Sequence, residues 1–180
     1  MREFSPEDAF GLMRSYSRHR DYVRAALARV VAELEQRAII HDASKMLDDE
    51  FAGFSRINAA ARVNKFGSPE YKAGMDRERA TINAHFARNS HHPEREGLLA
   101  SRGDVGEQLA YQSGRETTGA MTFLDVIEMV CDWHGARKGY DDPRPWRESV
   151  ELNFASKGQY LSPEQRWLAE QVAQFLEPFS

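Results

Sequence analysis

Residues 124–133, LDVIEMVCDW, are apolar on almost every side of a helix, yet they carry Asp125, Glu128 and Asp132 along a single stripe. A helix greasy all round belongs inside a fold, and three acids at i, i+3 and i+7 on it would repel one another and resist desolvation. Something cationic has to face that stripe. A metal ion held near another part of the chain would satisfy Asp132, and a basic side chain such as Lys45 or Arg137 would pair with one of the other two.

The rest of the chain reads as helices around this one. Ser5-Pro6-Glu7-Asp8 is a helix start, with a hydroxyl cap, proline at the first position and an acid three residues after the serine. Val23, Ala26, Leu27, Val30, Val31 and Leu34 recur at three and four toward Gln36, which predicts one buried face, and His19 falls on it. Further helices are predicted over 38–43, 48–64, 69–89, 122–138, 146–157 and 163–177. Ser68-Pro69 and Ser162-Pro163 open two of them, and no convincing strand is found. Residues 91–120, rich in glycine and polar residues, read as a loop or lid with a short helix near 106–111. The fold class predicted is all-α, a single helical domain over 1–180, with the helices of 146–180 packing on the same body.

Composition narrows the function. With 24 Lys+Arg against 28 Asp+Glu and no basic block, duplex nucleic acid is not the expected partner. The single cysteine, Cys131, cannot form an internal disulfide, and no signal peptide or membrane-length apolar run is found, so a cytoplasmic protein is expected. The chain has no P-loop, GxSxG elbow, paired zinc-finger cysteines or dinucleotide glycine fingerprint.

Six histidines remain: His19, His41, His85, His91, His92 and His134. Two isoleucines lead into the adjacent pair His41-Asp42, and a buried carboxylate needs a hydrogen bond, an ion pair or a metal. Taken alone, His19 reads as a core histidine, the His41-Asp42 pair equally as a cap or surface pair or as a ligand site, and His134 with one of His91 and His92 as surface residues. Together, His19, His41 and Asp42 offer three metal-type donors, and Ile82, His85, Phe86 and Asn89 share a face that turns His85 inward. Pro93 biases His92 toward an extended conformation, aiming one of the paired imidazoles away from the helix axis. Arg88, one turn from His85, is placed to clamp a phosphate.

His19, the run HDASK at 41–45 and Asp132 in this order resemble the HD-domain superfamily of metal-dependent phosphohydrolases. HDASKM with Glu50-Phe51, RNSHHPE from Arg88 and EMVCDWHGA from Glu128 are similar, over most of the chain, to a family of small uncharacterised proteins of bacteria and their phages, itself HD-like. The resemblance implies an all-α HD-type bundle with a central metal site. Its ligands would be His19, His41, Asp42 and Asp132, with His85 and His92, or His91 in its place, in the region where two-metal members add ligands. The spacing there departs from the best-known two-metal pattern.

The activity implied is hydrolysis of a small phosphorylated substrate, a nucleotide foremost, through one or two ions of Mn, Fe, Co, Ni or Zn. Asp42 would bind the ion and orient water, and Glu50 or His85 would act as general acid or base. Lys45, Arg88, Asn89 and Lys138 would hold the substrate. Two other readings stand beside it: a diiron oxygenase of HD type, and a non-catalytic, metal-stabilised module binding a nucleotide or a protein. A homodimer is the expected state for a small soluble enzyme, and no membrane is involved.

Overall fold

The computed structural model describes residues 5–64, 68–95, 98, 121–140 and 142–180. Every regular element among them is helical, and the chain divides into two compact units, residues 1–41 and 42–180.

The first unit is one long helix, α1 (Pro6–Ile40), where a shorter helix ending near Gln36 was predicted. Ser5 caps it as the sequence implies: its hydroxyl accepts from the Asp8 amide while the Asp8 carboxylate accepts from the Ser5 amide. Val23, Leu27, Val30 and Val31 are exposed along it, and so is His19. Within the unit, a lone helix has no second layer to bury that stripe. Residues 38–43 are not a separate helix; α1 runs through Ile40 and a 3-10 turn follows at Ala43–Met46.

The second unit holds α2 (Asp48–Val63), α3 (Pro69–Arg77), α4 (Arg79–Arg88), α5 (Phe123–Gly139), α6 (Trp146–Lys157) and α7 (Pro163–Leu176). The predicted helix over 69–89 is split at Glu78, which leaves helical geometry (φ −99°, ψ 20°) while Arg56 grips its carboxylate through Nε and Nη2. The short helix near 106–111 lies outside the described residues, as does most of the loop or lid read over 91–120.

Its apolar core lies among the C-terminal helices. Val126, Met129, Val130 and Trp133 of α5 meet Trp146 of α6 and the small residues Ala169 and Ala173 of α7, which let α7 come close. The buried Trp146 indole donates to the Ala173 carbonyl at 2.8 Å. Cys131, on the opposite side of α5, is exposed, so that helix is covered on one side rather than all round.

The N-terminal half of this unit is set by a close contact. A Cβ on Gly53 of α2 would stand 2.2 Å from Thr81 Oγ1 and 2.8 Å from Thr81 Cβ. Only glycine lets α2 and α4 approach so nearly. Glu50 lies about one turn before Gly53 and His85 about one turn after Thr81, so the crossing brings those two side chains together.

No described helix is long and apolar enough to cross a membrane.

Candidate metal centre

Asp42 opens the second unit in an unusual conformation, the only non-glycine residue with positive φ among those described (φ 54°, ψ 15°). Aspartate tolerates this left-handed geometry better than most residues, at a cost of order 1 kcal/mol. It stops α1 and starts the 3-10 turn. Lys45, one turn on, grips Oδ2 at 2.5 Å with its ammonium 5.0 Å from the centre of the Phe54 ring.

The other oxygen, Oδ1, receives two histidines. His85 Nε2 approaches it to 3.1 Å and His91 Nε2 to 3.4 Å. Each imidazole turns its opposite nitrogen to a second carboxylate: His85 Nδ1 is 2.9 Å from Glu50 Oε2, and His91 Nδ1 is 3.3 Å from Glu128 Oε1. Each ring therefore has a carboxylate at both nitrogens, so either a proton or an ion between Nε2 and Asp42 Oδ1 balances the arrangement; with Nδ1–H held by the second carboxylate, an ion would take the Nε2 lone pair. Glu50 is locked in turn, accepting from Ser44 Oγ, from His85 and from Arg88, whose other arm reaches Asp49. Asn89 completes the network by donating to Ser44 Oγ and to the His85 carbonyl.

His92 adds a third imidazole. One ligand-type atom from each of Asp42, His85 and His92 lies within 4.8 Å of the other two. The His92 ring packs 4.9 Å from His85 and 4.6 Å from Phe86, and its Nε2 is buried without a hydrogen bond. His91 and His92 both turn inward, their ring centres 4.3 Å apart, because residues 90–93 are buried against α4 and α5. The proline following them therefore does not send either imidazole to the surface.

The electrostatics follow from this crowding. Burial works against the Asp42 charge, but the approaches of His85 and His91 and the charge of Lys45 outweigh it and hold the carboxyl well below its usual range. Glu50 is likewise lowered, its burial overcome by His85, Arg88 and Ser44. His91 is raised despite burial, because Asp42 and Glu128 favour its cation. Burial first, then the charges of His91 and His85, push His92 far down and keep it neutral.

The donors fit a divalent transition metal. A lone pair on His85 Nε2 directed at a carboxylate oxygen is favourable only with a cation or proton between them, and His92 Nε2 has no other hydrogen-bond use for its electrons. A grouping of Asp42, His85 and His92 that could hold an ion is therefore present in the second unit.

Several residues take roles other than those expected. Glu50, expected as a general acid or base, is fully buried and meets Ser44, His85 and Arg88. Arg88 meets Glu50 and Asp49, Lys45 meets Asp42, and Asn89 meets Ser44 and the α4 backbone. Lys138 is exposed in the last turn of α5, and Asp132 is half-buried one turn beyond Glu128.

The acid stripe of α5 is met differently too. Asp125 accepts from Ser90 Oγ at 2.6 Å and closes a capping box with Thr122, and Glu128 faces His91. Arg137 donates to the Arg144 carbonyl instead. Sequence reasoning passed over Glu128 and Ser44 as site residues. The available signals were the place of Glu128 on that stripe and of Ser44 inside HDASK.

No curated protein and no solved structure gives a significant match to the chain. One family does, over residues 9–180, and the chain belongs to it: a family of unknown function, DUF5662.

Proposed function

We propose that the protein is a metal-dependent phosphohydrolase acting on a nucleotide or another small phosphate ester, with Asp42, His85, His91 and His92 at the heart of its metal centre. One observation carries this reading: two imidazoles, each with Nδ1 turned to a buried carboxylate, aim Nε2 at the same Asp42 oxygen. The resemblance to HD proteins adds His41, the residue before Asp42, and Asp132 and His19 to the ligand set, and an HD-type bundle as the fold.

A divalent ion held there would supply charge to phosphoryl oxygens and a bound water acidic enough to ionise near neutral pH. The chain's own side chains prepare for it. Lys45 fixes one Asp42 oxygen so that the other keeps its direction. Glu50 and Glu128 would hold protons at Nδ1, so that an ion displacing the proton at Nε2 would find electron pairs on His85 and His91. Phe54 and Phe86, packed on His85 and His92, keep bulk water from the imidazoles.

The test is chromatography of products from a panel of ribo- and deoxynucleotides incubated with protein and Mn or Co, beside Asp42→Ala. The expected result is metal-dependent release of phosphate, pyrophosphate or triphosphate by wild type alone. Equal silence of both proteins overturns the reading.

A second reading has its own support. Asp42, His85 and His92 are two histidines and one carboxylate, the donor set of non-haem iron oxygenases. Bound iron with oxygen consumption, and no phosphate release, would favour it.

A further inference from the structure

The outer stripe of α4 carries a feature that the metal centre does not use. Arg79, Asn83 and Phe86, spaced four and three apart, line a cleft of about 330 Å³ with Glu94, Leu98 and Tyr160. That volume lies at the low end for small-molecule sites and suits one heterocyclic ring system.

Its polar chemistry is unbalanced. Glu94 Oε2 is buried and accepts no hydrogen bond, a costly state for a carboxylate. Among the described residues the one cation in the lining, Arg79, is paired with Asp76. The Asn83 amide offers both a donor and an acceptor, and Phe86 and Tyr160 offer aromatic surface. A planar ligand that turns N–H donors to Glu94 would satisfy this lining.

The cleft also adjoins the candidate centre, because Phe86 follows His85 in sequence and its ring packs on His92 at 4.6 Å. We infer that this cleft holds the base of a nucleotide and selects a base that presents two adjacent N–H donors to one carboxylate, as guanine does through N1 and N2. The inference rests on the nucleotide reading above and deepens it.

Calorimetric titration of metal-free protein with guanosine and with adenosine, neither bearing phosphate, tests the cleft apart from the chemistry. Guanosine should bind more tightly than adenosine, and Glu94→Gln should weaken guanosine by roughly ten- to hundredfold, as loss of a charged hydrogen-bond acceptor requires. Asn83→Ala should weaken it as well, and circular dichroism identifies any variant that has lost its fold. Equal affinity for the two nucleosides, no binding of either, or guanosine affinity unchanged in folded Glu94→Gln would overturn the inference. Guanosine binding without turnover of any nucleotide keeps the cleft and removes the phosphohydrolase; turnover without preference among bases does the reverse.

Discussion

Glu50 Oε2 lies 2.9 Å from Nδ1 of His85, with the carboxylate fully buried and the imidazole 2% exposed. A charge so enclosed survives because Arg88 and Ser44 also serve it, and its effect is to decide which His85 nitrogen carries the proton. Replacing Glu50 with Gln should lower affinity for Mn or Co by about ten- to hundredfold, the usual consequence of losing a carboxylate behind a ligating histidine. Competition against a metal indicator would measure it. Unchanged affinity in a folded Glu50→Gln protein would show that His85 is not a ligand.

Asp42 separates backbone demand from charge. Asp42→Asn and Asp42→Gly both suit the left-handed conformation, whereas Asp42→Ala adds strain of about 1 kcal/mol. All three should lose metal, and thermal unfolding without metal should rank Ala below Gly. An Asn variant that retains metal would move the ligand role to other side chains.

Gly53→Ala should cost about 1–3 kcal/mol of stability, because a methyl there overlaps Thr81. Thr81→Ala in the same chain removes the two atoms nearest the added methyl, and the double variant should recover part of the loss. Urea denaturation of all four proteins gives the coupling. Additive losses would mean that the helices part rather than clash.

Burial holds His92 neutral in the folded chain, so its folded pKa lies far below the ordinary value of 6.5. A depressed pKa contributes stability above 6.5 that is lost as pH falls, since the unfolded chain takes up the proton first. Between pH 6.5 and 5.5, metal-free wild type should lose about 1 kcal/mol relative to His92→Asn. Parallel stability curves for the two proteins would show that His92 does not resist protonation.

Much of the helical outline was legible in the sequence because its signals are local. Ser5, Ser68 and Ser162 cap helices as their Ser-Pro pairs announce, and the helix over 146–157 matches at both ends. The break at Glu78 was not legible, since neither glycine nor proline marks it and the Arg56 that meets Glu78 comes from another helix. The placement of the residues singled out in the sequence was legible in part. His85 turns inward as the face of α4 implies, and Asp42 sits among the imidazoles. Arg88, Asn89 and Lys45 read as substrate clamps from position alone, but which acid or carbonyl each one meets depends on helix crossings that no spacing encodes. Glu128 was hidden for the same reason, its partner His91 lying 37 positions away in sequence.

The contact between Gly53 and Thr81 acts as a gauge for the meeting of Glu50 with His85. Only the Thr81 side chain lies between α2 and α4 there, and the spacing of Glu50 from His85 is inherited from that one separation. A residue that touches neither side chain thus fixes how they meet. A larger residue at position 53 would push the helices apart and loosen that pair, a change that a comparison confined to histidines and acids would overlook.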